Sequence, residues 1–133
     1  MKATDHIVWG DLGYAYSWTP GKEHDARQAF AKAIELAEAE RQKNPRDAAV
    51  VSQLALYYAK SHQPALAQAR MDTALALSPK SPDVLASAAE MYELLGRRDK
   101  ALNAAREAIA AGYSRNRMER NPELTKLLQV LRQ

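Results

Sequence analysis

The sequence predicts an all-α domain: a stack of paired helices with a closing helix at its C-terminal end. Three observations lead there. First, the stretch 48–81 holds two amphipathic patterns separated by a polar break at 60–63. The earlier one places Val51, Leu54, Ala55 and Tyr58 at i, i+3, i+4 and i+7, the spacing of one helix face. The later one places Ala67, Met71 and Ala74 on a face, narrowed by Arg70, whose head should reach solvent. Second, the unit recurs. At a shift of about 34 residues Leu54-Ala55 falls on Ala88-Ala89, Tyr58 on Tyr92, Ala67 on Ala101 and Ala74 on Ala108. Third, alanine and leucine dominate while glycine is scarce (5 of 133 residues), a composition that favours helix throughout.

Met1 to Thr4 reads as a start or a joining segment. Thr4 or Asp5 can cap the first helix, whose tryptophan-bearing pattern runs to about Trp18. Thr19-Pro20-Gly21 ends it. The second helix starts near Glu23 and should be long. The segment 35–43 inserts about two extra turns of helix-favouring sequence ending in cations, which suit a helix C-terminus. Those turns are either tolerated length or a second contact surface. Asn44-Pro45-Arg46-Asp47 is a turn, with Asp47 as N-cap. The third and fourth helices fill 48–77, with Pro64 at a first helical position and Pro79 past the end. Ser81 caps the fifth helix, 83–95, and Pro82 takes its first position. Gly96 and Gly112 supply positive φ after helices five and six, the sixth being 98–111. Residues 114–120 form a short turn of helix. Asn121-Pro122-Glu123 is a fresh start signal, and Leu124, Leu127, Leu128 and Leu131 make one apolar face behind it.

Upstream, Trp9, Leu12, Gly13 and Tyr16 spell W-x-x-L-G-x-x-Y without a gap, and Ala26, Phe30 and Ala33 follow as A-x-x-x-F-x-x-A. On these residues the chain resembles the tetratricopeptide repeat family. The resemblance implies a right-handed superhelical stack of helix-turn-helix repeats at about 5–45, 48–81 and 82–112, in a single domain over 1–133. The segment 113–133 then caps the last repeat, since a solenoid end needs a cover. The opposite end has no cover ahead of helix one, which suggests that the natural protein continues N-terminally, as a further repeat or as another domain. Trp9-Gly10-Asp11-Leu12-Gly13-Tyr14-Ala15-Tyr16, the long second helix, Leu94-Leu95-Gly96-Arg97 and Ala111-Gly112-Tyr113 also look like the C-terminal arrays of bacterial multidomain signalling proteins. That likeness implies a setting, not a ligand.

Composition narrows the chemistry. The chain has no cysteine, hence no disulfide, thiolate zinc site or thiol catalysis, which is compatible with the expected cytoplasmic location. No run is long enough to span a membrane and no apolar leader is visible. Net charge is only +3, but unevenly spread: from Arg97 onward nine Lys and Arg face four Asp and Glu. Gly10 and Gly13 match no dinucleotide fingerprint. His6, His24 and His62 sit at helix ends or turns as surface or capping residues, without metal-ligand spacing. Glu90 and Glu93 share a face at i, i+3, but as an acid/base pair they would need an enclosed pocket. A solvated or peptide-binding acidic patch is the expectation. Trp9, Phe30, Tyr58 and Tyr92 occupy packing positions of the repeats. No enzyme, cofactor or metal is expected.

What remains is a concave face. In the tetratricopeptide family the first helix of each repeat lines a groove for peptides or partner helices. Carried over by register, the groove residues are Tyr14, Ser17 and Trp18 in the first repeat, Ser52, Leu56 and Lys60 in the second, and Asp83, Glu90 and Glu93 in the third. The carboxylate clamp of chaperone-binding members is absent, because its positions hold Gly10, Tyr14, Gln53, Asp83 and Ser87. The expected function is therefore a protein-interaction module in a bacterial signalling or regulatory protein. Two alternatives stand beside it. One is self-association, into a homo-oligomer, through an uncovered end or the long second helix. The other is nucleic-acid binding by Arg115, Arg117, Arg120, Lys126 and Arg132, which lacks interleaved aromatics.

Overall fold

A computed structural model describes residues 5–132; Met1 to Thr4, including the Thr4 cap, lie outside them. Eight helices follow one another, and no strand occurs among the described residues. They are α1 Asp5–Ser17, α2 Glu23–Lys43, α3 Ala48–Lys60, α4 Pro64–Leu77, α5 Pro82–Leu94, α6 Arg98–Ala110, α7 Arg115–Glu119 and α8 Pro122–Leu131. The punctuation read in the sequence sits where it should. Asp47, Ser81 and Asn121 side chains accept from backbone N–H groups of the first turn. Pro64, Pro82 and Pro122 stand at helix starts. Gly96 and Gly112 take φ of +77° and +109°, as helix-ending glycines do.

Helices α1–α2, α3–α4 and α5–α6 pack as hairpins. They join because the second helix of one hairpin packs on the first helix of the next, α2 on α3 and α4 on α5. The first helices of the last two hairpins, α3 and α5, also touch. Alanines stand at the crossings: Ala33, Ala67, Ala74, Ala101 and Ala108 are fully buried. In α1 even alanine would be too large. A Cβ on Gly10 would lie 2.5 Å from the Tyr57 ring, and one on Gly13 would lie 2.8 Å from the Phe30 ring. The two extra turns make α2 one continuous 21-residue helix. They serve the stack, because Glu38 within them accepts from the Tyr58 hydroxyl at 2.5 Å and from Arg70 Nη2 at 3.0 Å. Arg70 thus ends on a carboxylate, correcting the expectation that its head reaches solvent. Burial works against the Glu38 carboxylate, but the bonds from Tyr58, Arg41 and Arg70 outweigh it and hold its pKa down. The Tyr58 hydroxyl is pushed up to about 12 by burial and by this bond.

Helix α8 closes the far end. It packs on α5 and α6, with Leu124, Leu127 and Leu128 buried and Leu131 partly so. The near end differs from expectation. Trp9 and Leu12, placed in the core by the repeat signature, are exposed, and Tyr16 is half-buried. The signature marks a surface that a preceding helix covers, and no described element lies over it. His6 departs in the opposite sense. It is buried rather than superficial, its Nδ1 lying 3.0 Å from the Tyr57 hydroxyl, which donates to the His6 carbonyl at 3.2 Å. Burial lowers its pKa, opposed by Glu40 and Asp47.

Candidate binding groove

The cleft lies between the first helices of the hairpins and is closed on one side by the C-terminal segment. Its volume is ≈ 610 Å³. Helix α1 contributes Tyr14 and Trp18 to the wall, the latter one residue past the helix end. Helix α3 contributes Gln53, Leu56 and Tyr57, and α5 contributes Ser87 and Glu90. Arg117, Arg120, Asn121 and Pro122 complete it from α7 and the start of α8. The i, i+4 spacing of Tyr14 and Trp18 puts their rings together, with centroids 6.0 Å apart. Tyr14 also meets Phe30 edge-on at 5.4 Å, which ties the wall to the core.

Lys60, from the last turn of α3, lies beneath these rings. Its Nζ is 5.1 Å from the Tyr14 centroid and 5.6 Å from that of Trp18. It also sits 4.0 Å from Glu123 of α8. Glu90 is the other fastening. Its Oε2 accepts from the Tyr14 hydroxyl at 3.1 Å and its Oε1 from Asn121 Nδ2 at 2.8 Å. One carboxyl therefore joins α1, α5 and the start of α8. Burial pushes the Glu90 pKa up, resisted by the two hydrogen bonds and by Lys60. Burial likewise pushes the Tyr14 hydroxyl well above its usual value, with the Glu90 carboxylate adding to it.

Of the nine groove residues expected from sequence, Tyr14, Trp18, Leu56 and Glu90 line this cleft. Ser52 and Asp83 line a smaller one of ≈ 200 Å³ beside it, which shares Gln53, Ser87, Glu90, Arg117 and Asn121. Lys60 supports the aromatic wall from below. Two residues stand elsewhere. Ser17 donates to the Tyr14 carbonyl at 2.7 Å and is exposed. Glu93 is held by Arg98 in a two-bond ion pair at 2.8 and 2.6 Å. Glu90 and Glu93 thus form no solvated acidic patch: the first is buried and the second is neutralised. The acidic end of the groove is further altered by Arg117, which donates to Asp83 at 2.9 Å.

Arg120, Asn121 and Pro122 were not expected here. Charge along the chain marked the tail as basic, but not its return to the groove. The tail's cations are in fact divided. Lys126 pairs with Glu123 and Arg132 with Glu119, both on the segment itself. Arg117 and Arg120 face the cleft. Among the described residues no three His, Cys, Asp or Glu side chains cluster to hold a metal ion, and no helix is long and apolar enough to cross a membrane.

No protein-family model matches the chain. Over 79 residues, 59% of its length, it is 40% identical to the cellulose synthase operon protein C of Pseudomonas fluorescens (strain SBW25). The chain spans only 6% of that relative's length. The similarity therefore concerns one segment of a far longer polypeptide.

Proposed function

We propose that this chain is a non-enzymatic protein-interaction module of the tetratricopeptide type, which seats a peptide or partner helix in the cleft between α1, α3, α5 and the α7–α8 segment. One observation carries the reading. Trp18 is 54% exposed at the cleft rim, yet its ring is held by Tyr14 and Lys60. A large aromatic kept in place but left uncovered is the usual anchor of an interface. The carboxylate best placed for chemistry, Glu90, is already engaged on both oxygens, which favours binding over catalysis. Lys126 and Arg132 are paired with carboxylates of the tail itself and Arg117 with Asp83 of α5, a division that favours a protein partner over a nucleic acid, which needs a continuous cationic face. Similarity over one segment to a protein of Pseudomonas fluorescens named for a cellulose synthase operon supports a bacterial setting; the signalling or regulatory role within it is the one that the sequence resemblance implies.

Trp18→Ala tests the reading. It should weaken binding of a partner recovered with the parent chain by roughly 2 kcal/mol or more, with helicity and Tm unchanged. A folded variant that binds the same partner with parental affinity removes the cleft from the mechanism.

A further inference from the structure

The three hairpins give the outer surface of their first helices an internal control. Trp9, Leu12 and Tyr16 of α1 occupy the same repeat positions as Val51, Leu54 and Tyr58 of α3. The corresponding residues of α5 are Leu85, Ala88 and Tyr92. The same register pairs Val8 with Val50 and Val84. In α3 and α5 these positions are buried, Tyr92 partly, and α2 and α4 respectively pack on those helices. Val50 and Val84 are 7% and 3% exposed, whereas Val8 is 66% exposed. Leu54 and Ala88 are 0% and 1% exposed, whereas Leu12 is 37% and Trp9 38% exposed.

The tyrosines repeat the contrast in polar terms. The Tyr58 hydroxyl donates to Glu38 of α2, and the Tyr92 hydroxyl accepts from Gln68 of α4 at 3.3 Å. In both cases the partner comes from the second helix of the preceding hairpin. The Tyr16 hydroxyl has no such bond among the described residues.

We infer that the outer face of α1 is a docking surface for the second helix of a further hairpin of the same kind, supplied ahead of α1 by a longer polypeptide. The occupant's chemistry follows from the two covered cases: an apolar helix face over Val8, Trp9 and Leu12, as α2 and α4 bury Leu36, Ala37, Met71 and Ala74, and a carboxylate or amide that reaches the Tyr16 hydroxyl. A second copy cannot supply it by stacking end to end. The equivalent free face would be on α6, and α8 already lies there with Leu124, Leu127 and Leu128 buried. The relative of which this chain spans 6% shows that such a segment occurs within a much longer chain.

The test replaces residues 1–4 with a copy of the chain's own residues 48–80, so that Asp5 follows it directly and takes the place of Ser81 in the repeat register. With Trp18→Phe as background, Trp9 is the one tryptophan left. The inference expects a blue shift of its emission, a severalfold fall in acrylamide quenching and a higher Tm. It also expects Tyr16→Phe to lower the Tm of the extended chain while leaving that of the parent unchanged, since only the former gives the hydroxyl a partner. An added hairpin that stays unfolded, a Trp9 as quenchable as before, or an equal response of both chains to Tyr16→Phe would overturn it. So would the unextended chain protecting Trp9 on its own as its concentration is raised, with a dimer in sedimentation, because a second copy would then be the occupant. Leu12→Glu in the unextended chain keeps the question open to refutation if the extension aggregates: an unchanged Tm is expected, and a marked fall would show the face to be packed already.

Discussion

At the α6 end of the stack, Leu124, Leu127 and Leu128 of α8 lie over the last hairpin and are buried; at the α1 end, Val8 is largely exposed and Trp9 and Leu12 are more than a third exposed. Both ends are built from the same hairpin unit: one presents the outer face of a second helix, α6, and the other that of a first helix, α1. Among the described residues, one end has a covering helix and the other has none. A repeat position is therefore neither core nor interface by its sequence alone. It becomes core where the chain provides a neighbour, and an exposed apolar patch of that kind marks a contact surface where it does not.

The harshest way to break the comparison is to make the two ends alike. Deleting 121–133 should strip the last hairpin as bare as the first and remove the Asn121 and Glu123 partners of Glu90 and Lys60. Aggregation or a large drop in Tm is expected in circular dichroism and light scattering. A truncated chain as soluble and stable as the parent would make α8 an appendage and not a cover.

A smaller change probes the other end from inside. Gly13→Ala puts a methyl group 2.8 Å from the Phe30 ring, which is fully packed. The expected cost is about 1–3 kcal/mol in urea unfolding, the range for overpacking. The same measurement on Gly21→Ala reports a different cause, since nothing lies near that Cβ and only the φ of +84° opposes it.

Smaller still is the titration of Glu90, the carboxyl that binds the covered end to α1. Its folded pKa is raised, chiefly by burial. A raised carboxyl contributes most below its unfolded pKa and loses that contribution as pH rises through the folded value. Stability of the parent relative to Glu90→Gln should therefore fall as pH rises from the carboxylate's ordinary range, about 4.3, upward through the raised folded value. An opposite slope would mean that Lys60 and the two hydrogen bonds outweigh burial.

Much of this architecture is legible in the sequence because the signals are local. Asp47, Ser81 and Asn121 cap helices whose first turns they adjoin, and Gly96 and Gly112 end the helices just before them. The length of α2 follows from an insertion that contains no breaker. The aromatic wall is legible too, since Tyr14 and Trp18 are set by their spacing on one helix. The rest depends on distant partners. Glu90 reads as a solvated acid until Tyr14, 76 residues away, and Asn121, 31 residues away, are brought to it. Arg117 and Arg120 read as a basic tail until α8 packs back and turns them to the groove. Trp9 and Leu12 read as core because the repeat signature presumes a neighbour, and no local pattern records whether the neighbour is there.

The comparison of covered and uncovered positions is tested most directly by equilibrium urea unfolding of Leu54→Ala beside Leu12→Ala. The two residues hold the same place in successive repeats and differ in cover, 0% against 37% exposed. Leu54→Ala should cost about 2–5 kcal/mol, as deletion of a buried leucine does. Leu12→Ala should cost well under that, within about 1 kcal/mol, as a partly exposed site without a neighbouring helix allows. Equal losses at the two positions would contradict the account, because the outer face of α1 would then be core already.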